Sequence, residues 1–113
     1  MKTTANPKRI TSGLGPQKIR IEFQAEHAQH VSVAGTFNEW RPDATPMVPM
    51  GGGHWIKELL LVPGRYEYLL VVDGDWQCDP ASAEQVPNPF GTYNSVLEVP
   101  ATSPARQRQG PEP

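Results

Sequence analysis

A single cysteine, Cys78, in 113 residues excludes an internal disulfide framework. With no charged-then-apolar leader at its start, the sequence points to a reducing, cytoplasmic compartment. Apolar runs such as Leu59 to Val62 are far too short to span a membrane. His27, His30 and His54 have no Cys or carboxylate beside them at ligand spacing, so neither a metal site nor a cofactor is read. Ser32, Ser82, Ser95 and Ser103 sit in no G-x-S-x-G elbow and Cys78 has no histidine near it in sequence, which leaves no poised nucleophile and argues against an enzyme. Basic residues are scarce where they would matter. From Gln17 to Pro100 there are five Lys and Arg against eleven Asp and Glu, a balance of about six negative charges. An acidic core without a basic stripe argues against nucleic acid and anionic membranes as partners and favours a neutral ligand.

Turn residues are abundant. Thirteen prolines and ten glycines leave little room for long helices and indicate an all-β chain. Tyr66, Tyr68, Leu70 and Val72 alternate with Glu67, Leu69 and Val71, the period-2 pattern of a strand with one face on a core. Asp73-Gly74 ends it with the preferred dipeptide of a two-residue type I′ turn, and Trp76 opens the return strand. Before this hairpin, strands are expected over Lys18 to Gln24, His30 to Gly35, Met47 to Met50 as a short edge, and His54 to Val62 with Trp55, Leu59 and Leu61 inward. Pro42 and Pro46 argue against any helix between the second and third of these. Asp79 to Pro89 reads as a loop with three prolines, and Tyr93 to Val99 as the closing strand. About seven short antiparallel strands imply two sheets packed face to face. The folded domain is expected over residues 17–100, with a disordered arm at 1–16 and a disordered proline-rich tail at 101–113.

The segment D-G-D-W-Q-C-D superficially resembles a calcium loop, but it has neither the glycine nor the terminal glutamate such a loop needs. Asp73 and Asp79 are better explained as turn residues. The tryptophans carry more information. Trp40 falls in a proline-flanked turn and Trp76 just past a hairpin, so neither occupies an ordinary core position of a strand. One reading makes them plugs over the sandwich ends; the other makes them binding residues. The C–H face of a pyranose can lie on an indole while amides and hydroxyls such as Asn94 and Thr92 meet the sugar hydroxyls. Contacts this shallow correspond to micromolar to millimolar affinity, about −8 to −4 kcal/mol.

The runs VSVAGTFNEWRPDATPM, GRYEYLLVVDGDWQCDP and FGTYNSVLEV together resemble the glycogen-binding domain of the AMP-activated protein kinase β subunit. They are similar also to the early-set domains at the N-termini of branching enzymes and isoamylases. The resemblance covers Lys18 to Val99 and rests on G-x-F-N-x-W, then V-D-G-x-W-x-x-D-P, then G-T-x-N. It implies an immunoglobulin-like early-set β-sandwich that binds α-1,4-linked glucans such as glycogen, starch or maltooligosaccharides without catalysis. It further implies that Trp40 and Trp76 stack on glucose units, that Phe90 inserts against the curved glucan, and that Thr92 and Asn94 bond sugar hydroxyls. Where the family carries a lysine that reaches the ligand, this chain has Leu69, and the missing charge-assisted bond is expected to weaken binding by about 1.5 to 3 kcal/mol. A glycogen-metabolising enzyme or kinase is the implied partner. The alternative is a module of the same fold that has lost sugar binding and docks a protein through a contiguous apolar face.

Overall fold

The computed structural model describes residues 15–101. The arm and tail expected at the two ends lie outside the described residues except for their innermost positions. Eight strands follow in order: β1 (Gln17–Gln24), β2 (Val31–Gly35), β3 (Val48–Gly51), β4 (His54–Leu61), β5 (Gly64–Val72), β6 (Asp75–Gln77), β7 (Gln85–Pro87) and β8 (Tyr93–Val99). They form two antiparallel sheets, one in the order β1-β4-β3 and one in the order β2-β5-β8-β7, with β6 also paired to β5. The central strand is the one whose alternation is plainest in the sequence. One edge of β5 pairs with β2 from Tyr68 to Val72, and the other takes β8 from Gly64 to Tyr68 and β6 from Leu70 to Val72.

The alternation of β5 divides its residues between two environments. Tyr68 and Leu70 point inward with Val31, Val33 and Val99, meeting Ile21, Trp55, Leu59 and Leu61 of the opposite sheet in one core cluster. The three inward residues expected of β4 are therefore the ones buried. Trp55 also donates its indole N–H to the Ala25 carbonyl at 3.2 Å, which satisfies the polar atom of an otherwise apolar side chain. At one side of the sandwich the chain passes between sheets. Val33 N–H donates to Thr45 O and Met47 N–H to Val31 O, after which β3 pairs with β4.

Two expectations need correcting. Pro42–Ala44 is a single 3₁₀ turn, because proline at a first helical position lacks only an N–H that would have had no partner. The proline-bearing segment read as a loop contains β7, whose Gln85, Val86 and Pro87 pair with Ser95, Asn94 and Tyr93. Proline is tolerated there because β7 is the outermost strand and its free edge needs no donor. The count is thus eight strands rather than about seven.

The loop between β6 and β7 is held by a buried polar pair. Tyr68 donates its hydroxyl to Asp79 at 2.6 Å, Asp79 accepts the Ala81 N–H at 2.9 Å, and the Asp79 N–H donates to Ser95 Oγ at 2.8 Å. Farther along, Arg65 bonds both Glu84 and Glu98, which holds the Glu84 carboxyl below its ordinary range. Burial, reinforced by the bond to Asp79, pushes the Tyr68 phenol above its usual value of about 10. A raised folded-state value means this contribution is complete below about pH 10 and is lost as pH rises beyond it, because only the unfolded phenol then ionises. Tyr68→Phe is expected to cost about 1.5 to 3 kcal/mol at pH 8, since a bond to a charged acceptor is removed. Urea midpoints at pH 8 and pH 11 check this: the gap between wild type and variant should narrow at the higher pH. A gap that widens would contradict it.

Candidate functional site

The outer face of the five-stranded sheet carries the residues that are not needed in the core. Glu67, Leu69 and Val71 of β5 alternate outward, opposite the inward Tyr68 and Leu70. Trp76 is the cross-strand partner of Val71. Leu69 pairs with Ala34, and Glu67 with Val96 of β8, which puts Asn94 on the same face two residues along. The hairpin that delivers Trp76 has positive φ at both central residues, 50° at Asp73 and 85° at Gly74, as a type I′ turn requires. Asp73 does more than turn the chain. Its carboxylate accepts the backbone N–H groups of Gln29 and His30, at 2.9 and 2.8 Å, and so fixes the hairpin to the segment entering β2. Trp76 is left 46% exposed on a short strand anchored at its base.

Trp40 is presented by a different device. The β2–β3 connection leaves Gly35, where an added Cβ would lie 2.6 Å from Glu67 O and 2.8 Å from Tyr68 Cβ, so only glycine fits against β5. Asn38 then organises the loop. Its amide oxygen accepts the Gly35 and Arg41 N–H groups, and its amide nitrogen donates to Val33 O and Thr45 Oγ1. Within this frame Glu39 and Trp40 take φ of 58° and 59°, a left-handed conformation costing about 1 kcal/mol or more in a residue with a side chain. Trp40 as a residue is half-buried.

A second asparagine shapes the β7–β8 loop. Asn88 Oδ1 accepts the N–H groups of Phe90 and Thr92, at 3.0 and 3.1 Å, while its Nδ2 donates to Thr92 Oγ1 and to Asn94 Oδ1. Gly91 has φ of 85°, and Phe90 stands 87% exposed at the tip. Asn94 is only 6% exposed and donates its Nδ2 to Glu67 Oε1 at 3.0 Å. The loop lies beside β6, where Cys78 Sγ reaches Tyr93 O at 3.2 Å.

Of the six residues singled out in the sequence, Leu69, Trp76 and Asn94 share the outer face by strand register, and Phe90 and Thr92 lie on the β7–β8 loop at the start of β8. Trp40 lies beyond the other end of the paired segment, past the Gly35–Tyr68 pair. From that row to the Val71–Trp76 row is three residues, about 10 Å along the strand. The two indoles make no ring contact: among the described residues the one aromatic pair is Phe37 with Tyr66, at 6.3 Å. Asn38, Asn88 and Glu67 were not singled out. The first two had a readable signal, an asparagine within a Gly- or Pro-containing turn, where its side chain replaces backbone partners.

A cleft of about 530 Å³ opens between β1 and the Asp79–Glu84 loop and is lined by none of the six. Among the described residues no group of three or more His, Cys, Asp or Glu is placed to hold a metal ion, and no helix is long and apolar enough to cross a membrane.

Comparison with known proteins places these features. The sequence pattern of the family described as the glycogen recognition site of AMP-activated protein kinase matches residues 17–105. The chain is similar to the 1,4-alpha-glucan branching enzyme GlgB 2 of Xanthomonas campestris pv. campestris, 40% identical over 57 residues that cover 47% of this chain and 8% of the enzyme. It is similar also to the 5'-AMP-activated protein kinase subunit beta-1 of Sus scrofa, 32% identical over 73 residues, covering 63% of this chain and 55% of that subunit. The chain thus spans only part of the length of these relatives. In structure it matches a maltogenic amylase from S. marinus with a TM-score of 0.65 and 20% identity, over 82% of this chain and 15% of the amylase, which shows a shared fold.

Proposed function

This chain belongs to the family of the glycogen recognition site of AMP-activated protein kinase and is a carbohydrate-binding module with an immunoglobulin-like β-sandwich fold; from that premise we propose that it binds α-1,4-linked glucan on the outer face of its five-stranded sheet and has no catalytic activity of its own. The observation that carries the site is Trp76, held half-exposed opposite Val71 with Leu69 on the same face. In this reading Trp76 at the Val71 row and Trp40 beyond the Gly35–Tyr68 row stack on glucose rings, and Leu69 forms the apolar floor between those rows. Phe90 presses against the glucan from the loop tip. Thr92 is the hydroxyl beside it, with Asn94 behind.

An indole stacked on a sugar loses its water on one side, so binding is visible in its fluorescence. Intrinsic tryptophan emission should change saturably with maltoheptaose and with β-cyclodextrin, at a dissociation constant between about 1 μM and 1 mM, and should not respond to cellohexaose. An equal response to the β-linked sugar, or none to the α-linked ones at about 10 mM, would refute the reading. The module would carry whatever chain or enzyme accompanies it to glycogen or starch, and a glycogen-metabolising enzyme or kinase is the partner that goes with it. The free thiol of Cys78 suits a cytoplasmic setting.

The alternative of a docking module needs a contiguous apolar surface. Val48, Met50 and Leu60 are exposed on the three-stranded sheet. Leu60, however, pairs with Lys18, and the next outward row along the same strands is Arg20 with Glu58, so charge interrupts that face. The glucan reading is the better supported.

A further inference from the structure

We propose that Glu67 is itself a direct contact to the glucan, its free carboxylate oxygen accepting hydrogen bonds from sugar hydroxyls; this rests on the reading of the outer sheet face as the glucan site. Glu67 stands on that face two residues from Leu69, half-buried, with its backbone held to Thr36 of the Trp40 loop through the bond from Thr36 N–H to Glu67 O at 2.9 Å. It thereby lies between the loop that carries Trp40 and the strand that carries Asn94. Its side chain is equally fixed. Oε1 accepts Asn94 Nδ2 at 3.0 Å, and Asn94 is oriented in turn by Asn88. Oε2 accepts no hydrogen bond from any described residue.

Two features make this oxygen a ligand group rather than a structural one. Asn94 is almost fully buried, with its amide oxygen and one amide hydrogen already engaged, so the polar atom that continues the Asn88–Asn94 chain toward solvent belongs to Glu67. Among the described residues the carboxylate also has no ion-pair partner. Position 69 is leucine, and Arg65, two residues back on the same face, is already bonded to Glu84 and Glu98. A positioned carboxylate with an open oxygen accepts from neutral hydroxyls with charge-assisted strength, which suits a sugar and disfavours an anionic ligand.

Glu67→Gln tests this with unusual selectivity. The glutamine amide oxygen faces Asn94 Nδ2 to keep that bond, which turns the NH2 toward the position of Oε2 and replaces an acceptor by a donor. Maltoheptaose titrated by calorimetry into the full chain should bind the variant about tenfold more weakly than wild type, while the thermal midpoint without sugar stays within about 2 °C. Affinity equal to wild type would mean that Glu67 only positions Asn94, and would overturn the proposal while leaving the glucan reading intact. Should the variant melt early yet gain as much stability from saturating maltoheptaose as wild type does, the proposal is equally overturned. No saturable binding by wild type itself would remove both.

Discussion

Trp76→Ala is expected to weaken maltoheptaose binding by at least about 30-fold, roughly 2 kcal/mol, while leaving the fold in place. The size follows from what the side chain is attached to. A tryptophan in a shallow site contributes most when it is rigid before the ligand arrives, because little rotational freedom is then lost on binding. The Asp73-Gly74 turn and the Asp73 bonds to Gln29 and His30 supply that rigidity from outside the site. The fold survives because the indole is 46% exposed and stands outside the core cluster. The measurement is a calorimetric titration beside a thermal melt. Loss of binding with a melting temperature within about 2 °C of wild type is the expected pair. Retained affinity would show that the indole is a plug over the sheet and not a platform.

Leu70→Ala should do the reverse, lowering stability by about 2 to 5 kcal/mol, with binding lost only because less protein is folded. Leu70 has no exposure at all and lies on β5 between Val33 of β2 and Gln77 of β6. Truncation therefore leaves a cavity among Val31, Val33 and the residues of the opposite sheet, where paired strands on both edges prevent the backbone from closing in. For a domain of this size the melting temperature should fall by roughly 8 °C or more. At a temperature where the variant is still folded, its affinity for maltoheptaose should match wild type. A melting temperature unchanged within error would mean the core tolerates the void, and would contradict the placement of Leu70 at its centre.

These opposite outcomes concern neighbours in one hairpin, and they trace to what a strand pattern can and cannot encode. The alternation from Tyr66 to Val72 shows in the sequence which residues turn inward, because side chains on a strand change sides at every step. The same regularity, with Asp73-Gly74 as the turn, located Trp76 on a return strand, since positive φ at two successive positions narrows the choice of residues severely. The all-β class followed from the density of proline and glycine, and the inward set Trp55, Leu59 and Leu61 from period 2 combined with size.

Other features depended on contacts between segments far apart in the chain. β7 is a strand only because β8 lies beside it, and no local pattern in a three-residue stretch ending in proline announces a partner. Asp79 looked like a residue before proline, yet Tyr68 and Ser95, brought in from two other strands, make it a buried junction. Asn94 was named from its motif as a sugar contact, whereas Asn88 and Glu67 enclose it, and which of these polar groups remains open to solvent is set by packing. The sequence by itself determined the alternation of the longer strands, the Asp73-Gly74 turn and the placement of Trp40 and Trp76 away from ordinary strand-core positions, because each depends on residues adjacent in the chain. The tertiary structure alone decided that Leu69, Trp76 and Asn94 share one sheet face and that Asn94 is enclosed by Asn88 and Glu67, because both depend on strand register and on hydrogen bonds between residues far apart in the chain.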